Sequence, residues 1–119
     1  MDEIAQHIAG IQDYLIAIRH DLHENPELCF EEHRTSSIVA HELARLGFRV
    51  TTGIAGTGVV GSLSVGHGNR AIAVRADMDA LPIAETTGLP YASRTPGKMH
   101  ACGHDGHTTM VLGVARYLA

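Results

Sequence analysis

Met99-His100-Ala101-Cys102-Gly103-His104-Asp105-Gly106-His107 gathers three imidazoles, a thiol and a carboxylate into one short run, and the rest of the chain can be read outward from it. Thiolate and neutral imidazole are the ligands that zinc and its neighbours prefer. Glycines on either side of His104 let the backbone bend so that such groups converge. The run reads first as a metal loop. The other reading is a His-rich loop that caps the helix after it, and a single Cys-x-His is a weaker signal than paired Cys-x-x-Cys.

Beyond the loop, Met110, Val111, Val114 and Leu118 are spaced for the buried face of a helix that Asp105 can cap. The amides of its first turn would add positive potential beside Cys102 and His104 and favour the thiolate. Arg116-Tyr117-Leu118-Ala119 reads as the inside or end of that helix, cut rather than concluded.

Before the loop, Glu85 to Gly97 is rich in Pro, Gly, Ser and Thr and reads as a long surface loop. Ahead of that comes Arg75-Ala76-Asp77-Met78-Asp79-Ala80-Leu81-Pro82. Its two carboxylates stand at the end of a run, Ala71 to Ala76, that is apolar on both faces except at Arg75. The run is expected to be a buried strand, whose end is where α/β sheets place binding sites. While the chain stays extended, Asp77 and Asp79 point to one side, where one can face a metal or orient a bound imidazole. An Asx-type turn into Leu81-Pro82 accounts for the same residues equally well.

The spacing Ile4, Ile8, Ile11, Leu15, Ile18, Leu22 predicts one helix up to the Asn25-Pro26 break, with His20 and His23 near its C-terminal end, where the macrodipole favours imidazolium. A second helix is expected from about Glu31 to Leu46, stopped by Gly47 with Phe48 closing back on Leu43 as in a Schellman motif. Arg49 to Ile54 and Val59 to Val65 read as strands, and Gly66-His67-Gly68-Asn69 as a hairpin loop into the third run.

The chain has 119 residues, 45% of them hydrophobic, which limits it to one core and one domain. A net charge of −4 without a basic run excludes a nucleic-acid partner. The acidic N-terminus lacks an apolar run, so neither a membrane span nor a secretory signal is expected and the location is taken as cytoplasmic. In such a compartment Cys29 and Cys102 are thiols, Cys29 as a small buried hydrophobe.

Asp21 to Leu28, Phe30 to Thr35, Thr57 to Val60, Arg75 to Pro82 and Met99 to His107 together resemble, in order, the amidohydrolase branch of the M20 metallopeptidases. That branch includes hippurate hydrolases, N-acyl-amino-acid amidohydrolases and plant auxin-conjugate hydrolases. Cys29 departs from the pattern, which usually has glycine there. The resemblance implies an α/β fold, the N-terminal portion of a zinc-exopeptidase-like catalytic domain: two helices, part of a mixed sheet, then a helix. Residues 1–119 would be a partial catalytic domain, with its C-terminal half and a smaller dimerisation domain absent.

The resemblance also implies two divalent metal ions (Zn, Mn, Co or Ni) and a small N-acyl amino acid as substrate. Cys102 and His104 match metal ligands. Asp79 matches the aspartate that orients the site and is the residue here with a catalytic part. Asp77 stands where other branches place a ligand histidine. Asp105 and His107 are left as supports or substitute ligands, His107 not being a ligand in the pattern. The family's catalytic glutamate and remaining ligands come later than Ala119, so the chain is expected to be inactive alone. The alternatives are a non-catalytic metal-binding or interaction module and, more remotely, thiol hydrolysis by Cys102. Self-association is expected through a bare sheet edge, through apolar side chains of the third run or around Val111, Val114 and Leu118, or else binding of a complementing C-terminal segment.

Overall fold

Asp2 opens the first helix by accepting a 2.7 Å hydrogen bond from the Ala5 amide on its side chain, as an N-cap does. The computed structural model describes residues 2–119, and in it the apolar stripe is carried by two helices instead of one: α1 (Glu3–Gly10) and α2 (Gln12–Glu24). The break lies at Gly10-Ile11, where Ile11 leaves helical geometry at φ −114° and ψ 8°. Glycine is a poor helix former, and the regular isoleucine spacing across it concealed the break. Burial rises along the stripe, from exposed Ile4 and Ile8 through half-buried Leu15 and Ile18 to fully buried Leu22.

After Pro26 the chain turns back into α3 (His33–Arg45), slightly shorter than expected. Its first amides are satisfied from a distance. One Glu27 carboxylate oxygen accepts from the Thr35 amide at 2.6 Å and hydroxyl at 2.7 Å, the other from the Arg34 amide at 2.8 Å. The far end closes as the sequence predicts. Gly47, at φ +85°, donates to the Ala44 carbonyl at 3.0 Å, the Phe48 amide donates to Leu43 at 3.1 Å, and the Phe48 ring packs in the Leu43 cluster. Cys29, in the turn between α2 and α3, is exposed and not the buried hydrophobe expected of it, because that turn carries it out beside exposed Phe30.

β1 (Arg49–Ile54) and β2 (Gly58–Ser62) form an antiparallel hairpin against α3, with an irregularity between Thr52 and Ile54. A Cβ at Gly61 would stand 3.0 Å from Leu43 Cδ1 and 3.2 Å from Phe48 Cδ1, so glycine lets the hairpin settle this close to the helix.

The third run does not become a strand. Residues 71–76 join no ladder, and Ile72 is 93% and Val65 81% exposed. A strand apolar on both faces needs neighbours along its edges and a layer on each side. Among the described residues β1 and β2 pair only with each other. Gly66 to Asn69 therefore closes no hairpin, and the expected part of a mixed sheet is a two-stranded antiparallel one. The α/β class stands.

α4 (His104–Leu118) crosses α2 closely at Gly113, where a Cβ would stand 3.3 Å from Leu15 Cδ1. Its Leu112 and Ala115 join Leu43 in the core, with Ile18, Val39, Leu46, Phe48, Val50 and Val59 packed around them. The helix is rotated from the expected face. Met110, Val114 and Leu118 are exposed and Val111 half-buried, while Thr108, Thr109, Leu112, Gly113 and Ala115 are buried. Two threonines lie inside because their hydroxyls are satisfied there, Thr108 donating to the Asp77 carbonyl at 2.8 Å and Thr109 to the Asp105 carbonyl at 2.7 Å. Among the described residues no helix is long and apolar enough to cross a membrane.

Candidate metal centre

Backbone ties bring the acidic stretch to the His-rich loop. The Ala80 amide donates to the Glu27 carbonyl at 2.8 Å, and Leu81 and Met99 exchange hydrogen bonds of 2.9 and 3.0 Å. Asp77 and Asp79 are thereby set beside the start of α4. Gly103 makes the bend into that helix at φ +91°, an angle that side chains resist; nothing lies within 4 Å of a Cβ there, so the backbone angle alone requires glycine.

His104 is the first residue of α4, and its ring is held on one side. Nδ1 lies 2.8 Å from Asp79 Oδ1 and 3.0 Å from the Asp79 carbonyl oxygen, so this nitrogen carries the proton and donates. Nε2 faces Asp77, 3.6 Å from its Oδ2. One ligand atom each from Asp77, His104 and His107 lies within 4.8 Å of the others. Donors about 2.0–2.2 Å from a shared ion stand roughly 3–4 Å apart, so the group approaches the spacing a divalent ion requires. The Asp79 contact is the kind that fixes the tautomer and rotation of a ligating imidazole. Asp77 is also paired with Arg75 at 2.6 Å.

The sequence-predicted residues divide accordingly. His104, Asp79 and Asp77 come together, and His107 joins them although the resemblance gave it no ligand role. The Cys102 thiol is exposed and outside this group. Asp105 does not cap α4, whose first residue is preceded by Gly103. Its side chain is 1% exposed and turned inward, 2.8 Å from His23 Nδ1 and 3.3 Å from Arg19 Nε. A buried carboxylate is held more strongly by charged donors than by amides it would cap.

His23 is the residue that sequence reasoning missed. More than the helix dipole holds it: it is 4% exposed, with Nδ1 on Asp105 and Nε2 2.9 Å from Glu85 Oε1. Burial pulls its pKa down, yet the hydrogen bonds to Glu85 and Asp105 more than offset this and raise it above 6.5. For Glu85 burial works upward, and the Ser93 amide, His23 and the Thr87 hydroxyl outweigh it, pulling the carboxyl to about 2. His100 is buried nearby with neither ring nitrogen hydrogen-bonded, and burial lowers its pKa. No local spacing announces a partner 62 or 82 residues away, so the only available signal was that His23 lies in a motif carrying the family resemblance.

An open cleft of about 500 Å³ lies between α3 and the hairpin, lined by His33, Ser36, Thr52 and Thr57 among others, and shares no residue with the metal group.

A histidine braced by one carboxylate and facing another, on an α/β scaffold, defines the class: a candidate divalent-metal protein. Residues 73–119 match the family described as Peptidase family M20/M25/M40. The hippurate hydrolase of Campylobacter jejuni is 52% identical over 112 residues, covering 94% of this chain and 29% of that protein. IAA-amino acid hydrolase ILR1-like 5 of Arabidopsis thaliana is 51% identical over 106 residues, covering 89% and 24%. The crystal structure of the Bacillus subtilis YXEP protein, a dinuclear metal binding peptidase from the M20 family, superposes with a TM-score of 0.87 at 41% identity, covering 92% of this chain and 31% of that one. The chain belongs to peptidase family M20/M25/M40. It spans less than a third of the length of these relatives.

Proposed function

We propose that this chain forms part of the catalytic domain of a cytoplasmic, metal-dependent amidohydrolase that cleaves the amide bond of small N-acyl amino acids such as hippurate or an auxin conjugate. The carrying observation is the His104 ring, braced at Nδ1 by Asp79 with Nε2 turned toward Asp77. In this reading His104 and Cys102 hold metal, Asp77 supplies a carboxylate ligand, and Asp79 fixes the imidazole. Cys102 stands exposed two residues before His104, outside the group of Asp77, His104 and His107. His107 stands by as a substitute ligand and Asp105 supports the helix start from below.

Paired divalent ions (Zn, Mn, Co or Ni), when bound, lower the pKa of a water and polarise the scissile carbonyl. Such chemistry also needs a carboxylate to take and return a proton, a role typically contributing about 10²- to 10⁴-fold. Glu85, the last glutamate in the sequence, cannot serve, because its side chain is 3% exposed and engaged by His23. Alone, the chain is therefore expected to hydrolyse at background rate. The base and remaining ligands would come from the portion of the relatives' length that this chain does not span.

The test is amino-acid release from hippurate by the chain supplied with Zn²⁺, Mn²⁺ or Co²⁺, alone and with the remaining segment of a relative added. Turnover appearing only with that segment, and lost in His104→Ala, supports the proposal. Turnover by the chain alone, abolished by Cys102→Ser, would overturn its inactivity. Metal binding with no turnover under either condition would favour a non-catalytic metal-binding module.

A further inference from the structure

We propose that His23 is a positioning residue of the metal loop: its ring ties Asp105 to Glu85 beneath the loop and thereby fixes the rotation at which α4 presents His104. This rests on the reading of His104 as a metal ligand.

Three segments meet at this ring. α2 supplies His23, the loop after Pro82 supplies Glu85, and the first turn of α4 supplies Asp105. Both ring nitrogens point at carboxylate oxygens. A neutral imidazole would set a lone pair against one of them, so the ring donates from both nitrogens and is the imidazolium. All three side chains are at most 4% exposed, leaving water no part in replacing either bond. The raised pKa of His23 and lowered pKa of Glu85 agree with that charge arrangement.

The tie bears on His104 because Asp105 is its chain neighbour. An α-helix turns about 100° per residue, so rotating α4 enough to free Asp105 from His23 also carries His104 away from Asp79. Only one other side chain of that first turn and a half, Thr108, is pinned to the acidic stretch, through its bond to the Asp77 carbonyl. His23 thus holds the inner face of the helix start while Asp79 and Asp77 hold the outer one.

The outer end of the tie is anchored too. Glu85 accepts from the Ser93 amide at 2.6 Å and the Thr87 hydroxyl at 2.7 Å, which folds the loop around its carboxylate. Tyr91 from the same loop stacks on His20 with ring centroids 3.7 Å apart and meets His23 edge-on at 5.5 Å. A dipole role for a histidine in the last turn of α2 would need neither the burial nor the second carboxylate.

The experiment uses the 119-residue chain, its His23→Gln and His23→Gly variants, and Arg19→Gln, which removes the other cation on Asp105 but leaves the ring. Two readouts are taken: the His104 Nδ1 proton by NMR without metal, and Co²⁺ affinity by visible absorption. The expected result is loss of the protected His104 proton and about tenfold weaker Co²⁺ binding in His23→Gln, with Arg19→Gln retaining the proton; the tenfold figure is the lower end of what outer partners of ligands contribute. If His23→Gln does not melt cooperatively, His23→Gly with added imidazole replaces it, and imidazole must restore the His104 proton. A His104 proton unchanged in a folded His23→Gln chain, or unrestored by imidazole in a refolded His23→Gly chain, overturns the inference. Absence of Co²⁺ binding by the unaltered chain would overturn the metal reading, while the proton result would still decide the positioning role.

Discussion

The two regions of the chain that lead to the His-rich loop and the acidic stretch are built on opposite terms. On the α2 side, His23, Glu85 and Asp105 are buried together and hydrogen-bonded at 2.8 and 2.9 Å. On the other side, Leu63, Val65, Ile72 and Val74 stand in solvent along a stretch that joins no sheet. The acidic residues Asp77 and Asp79 lie where these flanks meet. One flank is therefore stabilised by interactions internal to this chain. The other consists of apolar surface, whose burial contributes about 25 cal/mol per Å² only when something covers it.

Breaking the buried flank should have the largest effect. His23→Ala leaves two buried carboxylates without the ring between them, and removing one partner of a buried ion pair costs about 3–5 kcal/mol. Native domains have only about 5–15 kcal/mol in total, so urea unfolding should show a large fraction of the chain's stability gone. A loss below about 1 kcal/mol would mean that water or Arg19 substitutes for the ring.

Leu112→Ala should come next. Leu112 is 2% exposed and sits in the cluster with Leu43 and Ala115, where truncation of a leucine costs about 2–5 kcal/mol depending on how far the site collapses. The same denaturant titration measures it. A cost under about 1 kcal/mol would show that α4 is loosely seated and that polar ties, not packing, hold it.

The buried flank should also give stability a defined pH window. Glu85 is held at about 2 against an ordinary 4.5, so its contribution is present above 4.5 and is lost as pH falls toward 2. His23 is raised above 6.5, so its contribution is complete below 6.5 and is lost as pH rises through the folded value. Both are present together between 4.5 and 6.5. From these two groups melting temperature should gain most in that range, less what the buried neutral His100 gives up as pH falls below 6.5, and the gain should be absent in His23→Gln. A profile level from pH 4 to 9 would break the assignment of the ring as imidazolium.

What could be read from sequence follows the range of the interactions. The close of α3 was legible in detail because Gly47 and Phe48 act on residues within one turn. The motif resemblance put Asp79, His104 and Cys102 at one site; the structure pairs Asp79 with His104 and leaves the Cys102 thiol exposed outside the group. The break at Gly10-Ile11 was hidden by a spacing that continued across it. The buried face of α4 was misread because hydroxyls bonded to backbone carbonyls can lie inside, as Thr108 and Thr109 do. Residues 71–76 read as a strand because their composition demands partners, and composition does not say whether those partners lie within the chain. His23 was illegible for the opposite reason, since its chemistry is set by two carboxylates brought in from distant segments.

The smallest stability effect belongs to the bare flank. Ile72, at 93% exposure, contacts little that folding buries, so Ile72→Ser should change unfolding free energy by no more than about 0.5 kcal/mol. Its effect should instead be on association. Residues 71–75 are exposed, unpaired and mostly apolar, the combination that recruits another chain by edge pairing or apolar contact. Sedimentation velocity of the unaltered chain should therefore show concentration-dependent self-association, and Ile72→Ser should shift it toward monomer while Leu112→Ala, acting in the core, should not. A unaltered chain that sediments as a single monomer at every concentration would show that this surface is tolerated in water. If Ile72→Ser instead costs as much as Leu112→Ala, the run is packed in solution and the contrast between the two flanks is wrong.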